Sequence, residues 1–128
     1  MTKDDGLPKI WKVNTSPEAD RDVASIIRFI SDREGSAVAR GILKQFREAK
    51  ESLRTLPERG RVTPELRRIN ILAYRELQIK PYRLIYEISE PEDTVFIHVV
   101  IDGRRDLVEL LVARLLKADC YEGEGFEQ

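Results

Sequence analysis

The sequence predicts a small α+β domain in which a mainly antiparallel, twisted sheet carries a helical hairpin on one face. Two strand patterns, at residues 82–88 and 94–101, are joined by an acidic turn. Two consecutive amphipathic helix patterns precede them, and a further helix pattern follows them. The predicted element order is therefore β-α-α-β-β-β-α. We expect the last helix at an edge of the sheet or over its open face.

Composition indicates one domain with a heavily charged surface. The chain has 128 residues, of which 41% are hydrophobic and 35% charged, and its net charge is −1. Residues 9–116 nevertheless carry 20 Lys and Arg against 17 Asp and Glu, because acidic residues concentrate at both ends. This mildly basic body lacks the strong positive balance that is typical of a dedicated nucleic-acid binder.

Several function classes are excluded by what the sequence lacks. No apolar run approaches the roughly 20 residues that span a bilayer, and the N-terminus lacks an apolar signal region. A single cysteine, Cys120, excludes an internal disulfide and favours a reducing compartment. With His98 as the only histidine, no spacing supports a metal site. We expect a cytoplasmic protein without a metal, a cofactor or a membrane partner.

The first elements are recognised from local patterns. Residues 9–14 alternate in a way that indicates a strand. Thr15 and Glu18 fit a capping box, and Pro17 suits the first turn of the helix that follows. The apolar stripe of this first helix comprises Val23, Ile26, Ile27 and Ile30.

A helical hairpin and a basic connection come next. Gly35 is expected to end the first helix and Ser36 to cap the second, which runs to about Leu56. Residues 57–73 form either a long ordered connection or a mobile loop, and residues 73–79 predict another strand. The connection carries a basic cluster of Arg59, Arg61, Arg67 and Arg68, which by itself is typical of a solvated loop.

The last two strands and the final helix form the central unit. Alternation places Tyr82, Leu84, Tyr86 and Ile88 on one face of their strand, and Arg83, Ile85 and Glu87 on the other. The final helix has an apolar stripe of Leu107, Leu110, Leu111 and Leu115. We expect a flexible N-terminus over residues 1–8, the domain over 9–116 and an acidic, disordered tail over 117–128.

The chain from Lys9 to Leu116 resembles the RelE/ParE toxins of bacterial type II toxin–antitoxin systems. The YRLIY strand and the GRRD sequence before a Leu-rich helix are together the most specific parts of the resemblance. The matching stretches are Ser16–Asp22, Leu56–Arg61, Tyr74–Leu77, Pro81–Tyr86 and Gly103–Asp106.

The resemblance implies one of two activities. RelE-like members cleave mRNA in the ribosomal A site, without a metal, using basic residues on the open sheet face and a C-terminal tyrosine. ParE-like members lack that set of residues and inhibit DNA gyrase. Both kinds are neutralised by an antitoxin that wraps the toxin, so a hetero-oligomer with an antitoxin is expected.

The RelE pattern transfers only in part. Arg83 and Arg105 match two catalytic arginines, but the two basic positions of the preceding strand fall near Tyr74 and Glu76. The tyrosine position falls near Leu111, which the sequence predicts to be buried. Two arginines can stabilise charge on a phosphate, but an arginine stays protonated and is a poor base. These departures favour the ParE-like branch.

The resemblance therefore implies a ParE-like toxin that binds gyrase. A ribosome-dependent endoribonuclease, with Arg83 and Arg105 as catalytic residues, and an inactive domain that only binds an antitoxin are the alternatives. Expected target-binding residues are Arg83, Arg104, Arg105 and Arg61, and expected antitoxin-binding residues are Leu107 and Leu111.

Structural roles compete with these functional ones. Arg83 and Glu76 suit a cross-strand ion pair, which usually contributes about 0.2–1 kcal/mol. His98 is either a general base on the open face or, as is more common, a hydrogen-bonded structural histidine.

Overall fold

The computed structural model describes residues 9–103 and 105–125, which form one sheet and four helices in the order β-α-α-β-α-β-β-β-α. The elements are β1 (Lys12–Thr15), α1 (Pro17–Glu34), α2 (Ser36–Ser52), β2 (Arg61–Val62), α3 (Pro64–Arg67), β3 (Tyr74–Ile79), β4 (Tyr82–Ser89), β5 (Thr94–Asp102) and α4 (Leu107–Gly125).

The five strands lie in the order β1-β5-β4-β3-β2. All neighbours are antiparallel except β1 and β5, which are parallel. Because β1 and β5 are parallel, the chain that joins them must cross over one face of the sheet. The α1–α2 hairpin, which follows β1 directly, makes the first part of this connection. The predicted α+β fold with a mainly antiparallel sheet and a helical hairpin is confirmed.

Caps define the ends of the two hairpin helices. Ser16, and not Thr15, caps α1, because its Oγ accepts a hydrogen bond from the Ala19 N–H at 3.0 Å. Gly35 ends α1 as predicted, with φ of 98° and an N–H that donates to Ser31 O. The predicted capping of α2 by Ser36 is wrong, since Gly35 occupies the N-cap position and Ser36 is the first helical residue.

Two apolar cores lie on opposite faces of the sheet. The larger one packs α1 and α2 against Leu84, Tyr86 and other residues of the strands. The smaller one packs α3 and α4 against Ile85 and its neighbours; its buried members are Leu66, Ile85, Val99, Ile101, Leu107 and Leu111. The predicted alternation of β4 is confirmed, and α4 covers part of the face that the hairpin leaves open.

The connection between α2 and β3 is ordered and contains β2 and α3. The Tyr86 hydroxyl, which is buried beneath it, donates to Pro57 O at 2.7 Å and accepts from the Gly60 N–H at 3.0 Å. Arg75 Nη1 donates to Gly60 O at 2.7 Å. These bonds hold the turn at residues 57–60 against the sheet, so the ordered alternative for this connection is the correct one.

A β-bulge changes the faces of β5. Ile85 lies opposite Val99 and Tyr86 lies opposite Ile97, so His98 is an extra residue without a partner on β4. Strict alternation would place Ile97 and Val99 on one face, but they lie on opposite faces because an extra residue reverses the alternation beyond it. Ile97 packs in the larger core and Val99 in the smaller one.

The helix α4 continues to Gly125, past the expected boundary at residue 116. A helix that is already nucleated adds residues at little further cost, so the backbone remains helical into the acidic segment. The flexible segment predicted for residues 1–8, and residues 126–128 of the predicted tail, lie outside the described residues. No helix in the described part of the chain is long and apolar enough to cross a membrane.

Candidate functional site

Four charged side chains meet on the sheet face opposite the helical hairpin. Arg61 comes from β2, Glu65 from α3, Glu76 from β3 and Arg83 from β4. Arg61 lies directly opposite Glu76 in the register, and Arg83 lies on the same face of β4 as Ile85. We call these four residues the arginine–glutamate cluster.

Arg83 makes the most contacts in this cluster. Its Nη1 and Nη2 donate to Glu65 Oε1 and Oε2 at 3.0 and 2.8 Å, and Nη1 also donates to Glu76 Oε1 at 3.0 Å. The Arg83 side chain is 9% exposed. The hydrogen bond with Glu65 raises the pKa of Arg83 above its ordinary value. Arg83 is therefore a charged guanidinium that two carboxylates of the same chain neutralise.

Glu76 is the most deeply buried member. Its side chain has no exposed surface, and its Oε2 accepts a hydrogen bond from Arg61 Nε at 2.9 Å and lies 2.7 Å from Arg61 Nη2. A buried carboxylate is tolerated only where cationic donors compensate for its lost hydration. Glu76 has two such partners, so the predicted ion pair between Arg83 and Glu76 is confirmed.

The electrostatics of the cluster suit binding better than proton transfer. The hydrogen bond from Arg83 lowers the pKa of Glu65 below its ordinary value of 4.5, so Glu65 is ionised at neutral pH. Arginine stays protonated at the same pH. Neither group can therefore exchange a proton readily near pH 7, as a general base or acid must.

The structure brings Arg61 and Arg83 together but places Arg105 at a different site. Arg83 lines a pocket with Arg61, Lys80 and Gly103, whereas Arg105 is exposed and lines a separate groove beside Asp22. Arg104 lies outside the described residues. Arg105 follows β5 in a turn, where its N–H donates to Asp102 O at 3.0 Å.

The two leucines expected to contact an antitoxin are buried. Leu107 and Leu111 are 1% and 3% exposed, because they pack α4 onto the sheet. Over residues 107–116, the large apolar side chains that α4 exposes are Val112, Leu115 and Leu116. The helical stripe identified which side of α4 is apolar, but it could not show which part of that side the sheet covers.

His98 is hydrogen-bonded, in line with its structural interpretation. Its Nε2 lies 2.7 Å from Glu87 Oε1, and its ring meets the edge of Tyr74 at a centroid distance of 5.8 Å. Burial, with a smaller contribution from Glu87, raises the pKa of Tyr74. In the described part of the chain, no group of three or more His, Cys, Asp or Glu residues could hold a metal ion.

Sequence reasoning missed two partners that organise the charged residues. Glu65 had no assigned role, although Thr63-Pro64-Glu65 is a typical helix start that could have placed it on α3. Asp22 binds Arg114 of α4 through bonds of 2.7 and 2.8 Å, and its Oδ2 also accepts from the Val100 N–H. No local pattern links Asp22 to Arg114, because they lie 92 residues apart.

Comparison with known proteins gives a consistent result. Residues 13–107 match the family model described as the ParE toxin of the type II toxin–antitoxin system parDE. No curated protein matches the chain. One similar solved structure is a chromosomal ParDE toxin–antitoxin system from P. aeruginosa, with 14% identity and a TM-score of 0.59. The match covers 73% of the present chain and 97% of the chain in that solved structure.

Two further solved structures are similar. The RelBE2 toxin–antitoxin complex from Mycobacterium tuberculosis has 21% identity and a TM-score of 0.49, and covers 75% of this chain and 99% of that chain. The isolated RelE toxin of E. coli has 18% identity and a TM-score of 0.44, and covers 83% of this chain and 98% of that chain.

Proposed function

The chain belongs to the family of ParE toxins of type II toxin–antitoxin systems, and from this premise we propose that it inhibits growth by binding DNA gyrase. Binding is favoured over RNA cleavage by one observation, which is that Arg83 is already paired within the chain. Its guanidinium already binds the carboxylates of Glu65 and Glu76, so it is not free to stabilise a phosphate.

The remaining residues of the arginine–glutamate cluster support the same choice. An RNA-cleaving site needs a base near the 2′-hydroxyl and cations close to the reacting phosphate. Arg105 lines a different groove from Arg83, and Leu111, at the expected tyrosine position, is buried. The ribosome-dependent endoribonuclease is therefore the weaker candidate.

Exposed cations are the proposed contacts with the target. Arg61 has 57% of its side chain exposed while its guanidinium is oriented by Glu76. Arg105 is exposed in the turn before α4, next to Arg104 in the sequence. In this proposal Arg83 acts indirectly, because it neutralises Glu76 and thereby helps to hold Arg61 in place.

A cognate antitoxin is the proposed partner in the cell, where the toxin acts in the cytoplasm as part of a hetero-oligomer. Two of the similar solved structures carry the names of toxin–antitoxin systems. Val112, Leu115 and Leu116 give α4 an exposed apolar surface beside the buried Leu107 and Leu111. Such a surface favours cover by an apolar partner segment.

Induced expression without an antitoxin tests the proposal in cells. Growth, plasmid supercoiling and mRNA ends are followed in one culture, with the Arg105→Gln variant as a comparison. Growth arrest with altered supercoiling and intact mRNA supports gyrase binding, and Arg105→Gln should weaken the arrest. Arrest accompanied by new cuts within translated codons would instead support the endoribonuclease.

A further inference from the structure

A groove of about 490 Å³ lies between β1 and the C-terminal half of α2, and most of its lining is cationic. Four of its six lining residues are basic and one is acidic, although the whole chain has a net charge of −1. The lining residues are Lys12, Val13, Arg47, Lys50, Glu51 and Arg54. The fold therefore gathers positive charge that the overall composition does not reveal.

Three of these cations have no ion-pair partner among the described residues. Arg54 lies 3.7 Å from Glu51. Across the residues that the structure describes, the side chains of Lys12, Arg47 and Lys50 make no ion pair. Like charges held close together raise the local potential and attract an anionic partner.

The groove is built on a fixed backbone. The Trp11 N–H donates to Arg54 O at 2.8 Å, which joins the start of β1 to the end of α2. The Lys12 N–H donates to Asp93 O at 3.0 Å. The backbone around the cations is thus already positioned, and binding would order only their side chains.

The spacing of the cations fits a row of phosphates. Arg47 and Lys50 lie in the last turns of α2 and Arg54 lies two residues past its end, so the three cations span seven positions, or about 10 Å at the rise of a helix. One strand of duplex DNA places a phosphate about every 3.4 Å along its axis, so this length corresponds to about three phosphates. Lys12 approaches from β1, on the other wall of the groove.

The lining also indicates which anion fits. None of the described residues that line the groove is aromatic, so they offer no stacking surface of the kind that single-stranded nucleic acids require. Val13 is the one apolar residue in the described part of the lining, which is too little for insertion into a lipid surface. We propose that this groove binds the phosphate backbone of duplex DNA without reading its sequence.

This DNA contact goes beyond the proposed inhibition of gyrase and does not depend on it. The groove lies on the side of the helical hairpin, whereas the arginine–glutamate cluster lies on the opposite face of the sheet. Substitutions in one of these sites can therefore be tested without altering the other.

Fluorescence anisotropy of a labelled 20-base-pair duplex of mixed sequence measures the contact with the purified full-length protein. If Lys12, Arg47 and Lys50 each neutralise one phosphate, three counterions are released on binding. The affinity should then fall about 40-fold between 50 and 200 mM salt. The double variant Arg47→Gln/Lys50→Gln should bind more weakly at 50 mM salt and lose only about threefold to fourfold over the same range.

A matched control removes the same charge elsewhere. Arg21→Gln/Arg33→Gln alters two exposed cations of α1 and should keep the affinity and the steep salt dependence of the unmodified protein. Thermal unfolding verifies that both double variants fold. Equal weakening in the control, or absence of duplex binding at 50 mM salt, would overturn the proposal. The proposal would also be overturned if a single strand bound as tightly as the duplex. Displacement of the duplex by polyglutamate, added at the same concentration of negative charge as the duplex, would overturn it as well.

Discussion

Glu65 and Arg83 face each other through two parallel hydrogen bonds of 3.0 and 2.8 Å, which join α3 to β4 on one face of the sheet. This fork geometry is the strongest arrangement available to a carboxylate and a guanidinium. The same guanidinium reaches the buried Glu76, so one arginine neutralises a surface carboxylate and an interior one. The same guanidinium therefore attaches α3 to the sheet and neutralises the buried carboxylate of Glu76 on β3.

Glu65 should give the protein an acid-sensitive component of stability. Its pKa is lowered in the folded state, mainly by the hydrogen bond from Arg83. The stabilisation is thus present above the unfolded pKa and is lost as pH falls through the folded pKa. Glu65→Gln should lower the free energy of unfolding by about 1–2 kcal/mol at pH 7. The difference should shrink as pH falls below the ordinary glutamate pKa of 4.5 and through the lower pKa of folded Glu65, as measured by urea unfolding across pH.

Removal of Arg83 should be far more damaging than removal of Glu65. Arg83→Met leaves the fully buried Glu76 with Arg61 as its remaining cationic partner. Loss of one partner of a buried ion pair typically costs about 3–5 kcal/mol. Urea unfolding should show a loss of this size, and the double variant Arg83→Met/Glu76→Met should recover a large part of it. A double variant no more stable than Arg83→Met would contradict this role.

Gly60 is predicted to be intolerant of any side chain. A Cβ at this position would lie 2.5 Å from Glu76 O and 2.7 Å from the Tyr86 hydroxyl. Gly60→Ala should therefore lower the free energy of unfolding by about 1–3 kcal/mol.

Gly41→Ala is the matched control for Gly60→Ala. Gly41 lies within α2, and apart from its chain neighbours and the adjacent backbone of its own helix no atom lies within 4 Å of an added Cβ, so alanine should stabilise the helix by about 0.5–1 kcal/mol. Equal melting temperatures for Gly60→Ala and the unmodified protein would contradict the prediction for Gly60. They would show that the turn at residues 57–60 can move away from Glu76 O and the Tyr86 hydroxyl.

The pair of Asp22 and Arg114 should control the attachment of α4. Asp22 also accepts the Val100 N–H at 2.9 Å, in the part of β5 that extends beyond β1. Asp22→Ala removes both contacts, so amide exchange of Val100 and of α4 should become faster by about tenfold or more. Arg114→Gln should accelerate exchange in α4 while Val100 stays protected. Unchanged exchange in both variants would contradict this anchoring role.

Local patterns predicted the parts of the fold that local forces determine. The alternation of β4 placed Leu84 and Ile85 on opposite faces, and the Gly35 signal located the end of α1, as observed. The bulge at His98 escaped prediction, because an extra residue in a strand leaves no local pattern. The partners of Arg83 could be predicted only for Glu76, on the neighbouring strand, since Glu65 reaches it from a separate helix.

Burial separates the predicted site residues that a partner can reach from those that it cannot. The sequence marked Arg83, Leu107 and Leu111 as functional, and the structure buries all three. Arg61 and Arg105, marked for the same reason, remain exposed. Residue type and order identify which side chains are chemically suitable, but only the packed sheet and helices determine which of them a partner can reach.

Inhibition of purified DNA gyrase is the most direct test of the central claim. Supercoiling of relaxed plasmid is measured with increasing amounts of the toxin, beside a ribosome-dependent mRNA cleavage assay on the same preparation. We predict that supercoiling is inhibited while mRNA stays intact, and that Arg61→Gln or Arg105→Gln weakens the inhibition. Full gyrase activity together with cleavage of mRNA that Arg83→Lys abolishes would contradict the account.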